Sequence, residues 1–442
     1  MTVNAYIQEN EQMFMNYLAK LIHQRSLSET GEGIDETVDF LVGLLKKLLH
    51  ADVKTIVTEG NPVILATLSP GKQVTYLFYG HYDVQAPGSL SDWQTDPFSL
   101  TEANGRFYGR GCGDNKGQLL AQIFGIHTYL ALHGDLPFTL KLLIEGEEEV
   151  GSPHLRQVVS SLSKTALADV DDVFVMDGSF NQSGKHVLRL GNRGILAFRL
   201  SARVANHDLH SGNFGNVNRD AAVELLKAVN KLIDLTNYQV KVPGFYDLVQ
   251  KPNQLEKQWI SQLPEPAEEP SPLFTDKQDY YRRLMFEPTL TINGLSSGYE
   301  GDYIKTIIPH QATAVIDCRL VVGQTCQGIK KQIRKALADD LETGRVKLQF
   351  IASLEPTKMD THLPLIKRGT GECLIEPVMP GSVPNYIWVD ELHVPVFTIP
   401  LANYDQRNHA PNENIKKDAF WQGISLITNL CDELGRKKRE RG

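Results

Sequence analysis

Between residues 63 and 177, short apolar runs alternate with helical patterns, and every run stops on turn residues. The runs are VILATLS, TYLFYG, TLKLLIEG and DVFVMDG, and the helical stretches are KGQLLAQIFGIHTYLALHG and SPHLRQVVSSLS. A run this short cannot bury itself. With helices between successive runs, the economical solution is a sheet covered by those helices. The alternation predicts an α/β fold whose mixed, largely parallel sheet is flanked by helices. Residues 4–23 and 35–50 add further helical spacing of Leu, Ile, Val and Phe. In the longest helical stretch Leu119, Leu120, Ile123, Phe124 and His127 form one apolar stripe, so His127 reads as a packed residue rather than a ligand.

From residue 189 the rhythm changes. LRLGNRGILAFRLSARV reads as a strand, RDAAVELLKAVNKLIDL as a helix, TLTINGLSS and ATAVIDCRLV as strands, CQGIKKQIRKALADDLE as a helix and VKLQFIA as a strand. That β-α-β-β-α-β order is the ferredoxin-like α+β sandwich. It is interrupted by the Pro-rich YDLVQKPNQLEKQWISQLPEPAEEPSPLF, to which no element is assigned. α/β character then returns with PVFTIP and a C-terminal helix. At 442 residues the chain exceeds one ordinary core. The expected organisation is a domain built from 1–188 and 353–442, with 189–352 inserted into it.

The net charge of -8 opposes nucleic-acid binding, which needs a basic face. The basic C-terminal run GRKKRERG reads as a solvated tail. No segment has the apolar length of a membrane span, and the N-terminus lacks the basic start and apolar middle of a signal peptide. Five scattered cysteines without a C-x-x-C pair suit a reducing compartment, so the cytoplasm is the expected location. Any metal must then use His, Asp and Glu.

Such residues collect where the predicted strands end. TYLFYGHYDVQAPG closes on His81 and Asp83, which face the same way because strand side chains alternate. GRGCGDNKG sets Asp114 ahead of a helix, EGEEEVGS sets Glu147, Glu148 and Glu149 after a strand, VFVMDGS ends on Asp177, and NHAPNENI carries His409. Singly each has an ordinary explanation, as an N-cap, a turn or a dipole-favoured glutamate. Together, parallel strands deliver them to one edge. So many carboxylates without a local surplus of Lys or Arg would repel one another unless a cation sat among them. Mixed His and carboxylate ligands suit zinc, with manganese or cobalt as alternatives. Their number fits two ions about 3.5–4 Å apart sharing a bridging carboxylate, with one Glu left over as a base.

These motifs, in this order over nearly the whole chain, resemble the dinuclear zinc peptidases that include cytosolic nonspecific dipeptidase, carnosinase, acetylornithine deacetylase and succinyl-diaminopimelate desuccinylase. VPGFYDLVQ with the long insertion after it, and PTLTINGLSSGYEGDYIKTIIP, resemble the carnosinase-like branch. The resemblance implies His81 and Asp177 on one ion, Glu149 and His409 on the other, and Asp114 bridging, with a cis Asp114–Asn115 peptide. It implies that Asp83 orients His81 and that Glu148 is the catalytic base, the glutamates being aligned on Gly151-Ser152, which leaves Glu147 extra. In DLHSG it implies a catalytic His210 that reaches across a homodimer interface, and it makes the inserted domain a lid and dimerisation unit. Arg319 would grip the substrate's terminal carboxylate, with Thr306 and Ser382 at substrate-contact positions. Asn115 stands where Asp is frequent, and Pro380 where a glycine is usual before Gly-Ser. The implied activity is hydrolysis of a dipeptide or short peptide. The rivals are an N-acyl-amino-acid deacylase using the same centre and a non-catalytic binding protein on the scaffold.

Overall fold

The computed structural model describes residues 1–267, 271–361 and 373–436; the end of the basic C-terminal run lies outside the described residues. An eight-stranded sheet runs Asp52–Ile56, Val63–Leu68, Thr139–Glu145, Thr75–His81, Asp172–Val175, Val396–Thr398, Val187–Arg189, Leu374–Glu376. From Thr139–Glu145 to Val396–Thr398 neighbouring strands are parallel, and antiparallel pairings lie to either side. Every residue of Thr75–His81 and Thr139–Glu145 is buried, as expected of central strands covered on both faces.

The helix Lys116–His133 packs on this sheet and against the C-terminal helix Lys417–Arg436. Gly125 permits that approach: a Cβ there would lie 2.5 Å from the Ile427 side chain, and Thr428 Oγ1 donates to the Gly125 carbonyl at 3.0 Å. His127 is indeed a packing residue. Its Nδ1 contacts the Leu48 carbonyl at 2.9 Å and its Nε2 the Tyr6 hydroxyl at 3.1 Å.

A second sheet, ordered Thr289–Ser297, Gln311–Leu320, Gly194–Arg203, Val346–Leu354, is wholly antiparallel. With the helices Ala221–Leu232 and Cys326–Ala336 against it, it is the ferredoxin-like sandwich, and it buries its own apolar cluster. The expected single strand LRLGNRGILAFRLSARV is divided. Val187–Arg189 joins the large sheet and Gly194–Arg203 the small one. Between them Gly191–Asn192 pairs with Thr357–Lys358, so the two chain crossings between the sheets bond to each other.

The Pro-rich stretch holds two helices, Gln254–Gln262 and Lys277–Phe286. The first starts on a capping box in which Asn253 and Glu256 bond reciprocally. Asp276 caps the second through the Asp279 N–H. Prolines on either side obscured both patterns. Among the described residues no helix is long and apolar enough to cross a membrane.

Candidate metal centre

Strand register builds the site. His81 lies opposite Glu145, and Val175 opposite Tyr79, so Asp177 arrives level with His81 at the strands' C-terminal edge. The turn after Glu145 places Glu148 and Glu149, and the Asp114 turn and the His409 loop close over the same edge. His81 Nε2 lies 3.2 Å from Asp114 Oδ1 and 3.9 Å from both Asp177 Oδ2 and Glu148 Oε2. His409 Nε2 lies 2.8 Å from Glu149 Oε2 and 3.3 Å from Asp114 Oδ2.

Two ligand sets follow. One atom each from His81, Asp114 and Asp177 lie within 4.8 Å of one another, and so do atoms from Asp114, Glu149 and His409. Asp114 belongs to both, offering one oxygen to each imidazole, and its peptide bond to Asn115 is cis.

Asp83 fixes the orientation of His81. It is fully buried, and His81 Nδ1 meets both its Oδ1 at 3.2 Å and its backbone carbonyl at 3.1 Å. A backbone carbonyl can only accept, so Nδ1 carries a proton and Nε2 is the ring nitrogen that faces the cluster and would serve as the ligand atom. Asp83 also accepts from Ser28 Oγ at 2.7 Å, Glu148 N at 3.3 Å and Glu149 N at 3.0 Å. The same carboxylate therefore sets the start of the glutamate turn. Glu147 points elsewhere, onto His154 Nδ1 at 2.7 Å, while Glu148 and Glu149 face the cluster.

Electrostatics test the fit of a cation. Among the described residues no Lys or Arg forms an ion pair with Asp114, Glu148, Glu149 or Asp177. Burial and the Asp114 carboxylate push Asp177 up to about 6. Burial pushes Glu148 well up against the pull of His81, helped by the carboxylates of Asp177, Asp114 and Glu149, and burial also raises Glu149. Burial disfavours charge on His81, yet hydrogen bonds to Asp114 and Asp83 outweigh it and raise its pKa well above the usual range. His409 is raised to about 10 by its bonds to Asp114 and Glu149. Burial would raise Asp114, but bonds from His409 and His81 hold it far below the carboxylate range. The carboxylates thus draw protons onto the imidazoles and one another. Divalent ions within the two sets would replace those protons, which is what His-carboxylate ligands are suited to do.

The remaining predicted residues fall elsewhere. Arg319 Nη1 donates to Ser382 Oγ at 3.0 Å, so these two meet. His210 and Thr306 are exposed on the sandwich and bond to no member of the cluster among the described residues. His210 Nδ1 instead accepts from Gly212 N at 3.0 Å. Asn115, a departure from the common Asp, donates to Asp177 Oδ1 at 3.1 Å and the Met176 carbonyl at 2.9 Å, which a carboxylate could not do.

Sequence reasoning missed Arg193. It is nine-tenths buried beside Arg319, its Nε donates to the Pro380 carbonyl at 2.8 Å, and its backbone N–H to the Met379 carbonyl at 3.0 Å. Burial and Arg319 lower its pKa to about 10. Pro380 therefore contributes its carbonyl, which any residue would have, to the loop bearing Ser382. Nothing in NRGIL signals this, since the partner lies far along the chain.

A covered, largely parallel sheet whose edge gathers two overlapping His-carboxylate sets defines a metal-dependent hydrolase with a candidate dinuclear centre. The chain belongs to peptidase family M20/M25/M40, whose family model spans residues 77–433. It is 30% identical over 395 residues to the human Beta-Ala-His dipeptidase, covering 85% of this chain and 78% of that one. It is 28% identical over 396 residues to the Cys-Gly metallodipeptidase dug1 of Schizosaccharomyces pombe, covering 84% and 83%. An M20 family metallo-carboxypeptidase from Sulfolobus solfataricus superposes with a TM-score of 0.86 at 29% identity, over 95% of this chain and 98% of that one.

Proposed function

We propose that the protein hydrolyses dipeptides, or short peptides with a free C-terminus, using two zinc ions, one held by His81 and Asp177, the other by Glu149 and His409, with Asp114 bridging. Ions held there would supply Lewis acidity, activating a water and polarising the scissile carbonyl. Glu148 Oε2, beside His81 and outside both ligand sets, is the base that would take a proton from the attacking water and return it to the departing amine.

Arg319 is read as the group that binds the substrate's terminal carboxylate. A planar guanidinium matches that anion, and its contact with Ser382 supports a shared subsite. Residues 1–188 and 353–442 act as the metal-binding domain and 189–352 as a lid. His210 serves the site of a second subunit in a homodimer, a reading supported by its exposure and by its side chain having only the Gly212 N–H as a hydrogen-bond partner among the described residues. The cytoplasm is the proposed location.

The observation carrying this reading is the sharing of Asp114 between two ligand sets with Glu148 beside them. The test is turnover of free dipeptides beside N-acyl amino acids by zinc-reconstituted protein. Cleavage of dipeptides supports the reading; cleavage of acylated amino acids alone refutes it in favour of a deacylase.

A further inference from the structure

Glu413 has no place in the reaction above, yet its carboxylate accepts four hydrogen bonds, as many as that of Asp83. It is fully buried. Its Oε1 accepts three backbone N–H groups of the Asp114 turn, from Gly111 at 3.1 Å, Gly113 at 2.9 Å and Asp114 itself at 2.9 Å. Its Oε2 accepts from Arg110 Nη1 at 2.7 Å, and its backbone carbonyl accepts from Gly109 N at 3.1 Å. The turn is shaped for this. A Cβ at Gly113 would lie 2.1 Å from Gln406 Oε1, and Gly111 sits at φ +89.

Glu413 is also only four residues beyond His409, whereas the turn it holds lies some 300 residues earlier in the chain. One carboxylate therefore ties together the two segments that supply Asp114 and His409. The His81 strand and Asp177 are held differently, by the sheet register and by Asn115, which reaches Asp177 Oδ1, the Met176 carbonyl and His81 N, with Glu413 taking no part in those contacts.

We propose that Glu413 is a positioning residue that locks the Asp114 turn to the His409 segment and so sets how tightly the Asp114–Glu149–His409 set holds its ion. Arg110 completes the lock. Its Nη2 reaches the Ala86 carbonyl at 3.3 Å and its guanidinium lies 5.2 Å from the Trp93 ring centroid, so the charge facing Glu413 is itself fixed from two sides. Glutamine in place of Glu413 would keep the volume, halve the acceptor capacity and turn an N–H group toward either Arg110 or the turn, donor against donor.

The inference rests on the dinuclear-metal part of the proposed function and not on the substrate, so it is tested without turnover. Metal-stripped Glu413→Gln is titrated calorimetrically with Zn²⁺, with His81→Ala and His409→Ala identifying the two binding steps. Expected is a loss of about 10–100-fold in affinity at the step removed by His409→Ala, with the step removed by His81→Ala within about threefold of wild type. Unchanged affinities, or equal losses at both steps, would overturn the proposal, because a merely structural residue would not discriminate between the ions. Arg110→Lys keeps the charge but not the fork, and it carries the same test should Glu413→Gln not fold. A selective loss at the His409 step supports the lock, and an equal or absent loss overturns it.

Discussion

Asp83→Asn changes one atom's worth of shape and removes a charge that four donors share. His81 Nδ1 and Glu148 N address Oδ1, while Ser28 Oγ and Glu149 N address Oδ2. An amide has a single acceptor oxygen, so its NH₂ must face one of these pairs. Turned toward Oδ1, it meets His81 and the Glu148 N–H, and His81 could respond only by moving its proton to Nε2, where the lone pair is needed. Turned toward Oδ2, it meets Ser28, which can redirect its hydroxyl to the Val84 carbonyl at 3.1 Å and accept instead. The second orientation is the cheaper one, and it strands a single donor, the Glu149 N–H.

A hydrogen bond to a buried charged group is worth about 1.5–3 kcal/mol, which sets the loss expected in the unfolding free energy of the metal-free variant. Loss of the carboxylate behind His81 should in addition weaken zinc binding about 10–100-fold. Urea unfolding of stripped protein measures the first, and calorimetric titration with Zn²⁺ the second. A variant destabilised by that amount but binding both ions as tightly as wild type would refute the orienting role, leaving Asp83 a structural residue only.

Glu148→Gln should lower kcat by at least about 10²–10⁴-fold while elemental analysis still finds both ions. Loss of an ion instead would mean that Glu148 and Glu149 exchange roles. Mixing inactive Glu148→Gln with inactive His210→Ala should restore activity, because a mixed dimer holds one site with an intact glutamate and an intact histidine from its neighbour; no recovery after verified subunit exchange would rule out the shared site. Arg319→Met should raise KM for a dipeptide about tenfold or more with little change for its C-terminal amide, and Arg193→Met should reproduce part of that effect through the Pro380–Ser382 loop. Equal effects on acid and amide would mean that neither guanidinium serves the carboxylate. In metal-free protein Asp177 is raised to about 6, above its unfolded value of about 3.9, so its contribution to stability is present at low pH and is lost as pH rises through 6. The melting temperatures of zinc-loaded and stripped protein should therefore diverge between about pH 4 and 6, and a constant gap across that interval would contradict the assignment of Asp177 as a ligand.

What could be read from the sequence, and what could not, separates by the range of the interactions involved. The runs ending in His81, Glu145 and Asp177 were legible because strand length, apolar content and turn residues are local properties, and parallel register then forces their ends together. The helices Gln254–Gln262 and Lys277–Phe286 were not assigned, although Asn253 and Glu256 carried a capping signature, because the surrounding prolines dominated the reading. The three consecutive glutamates were ordered only by aligning Gly151-Ser152. The physical distinction is that Glu147 is drawn off by His154 while Asp83 accepts the backbone N–H groups of the next two.

Arg193, Arg110 and Glu413 were invisible for a different reason. Each is defined by a partner far along the chain, and a buried charge looks like a surface charge until that partner is known. A carboxylate cluster announces itself in sequence because its members all share one chemistry. The Arg110–Glu413 pair that holds the Asp114 turn in place mixes chemistries and cancels in any composition. The parts of this site that hold the ligands in position, rather than supply them, are therefore the parts that only three-dimensional contact reveals. They are also where substitution should alter metal affinity with every ligand still present.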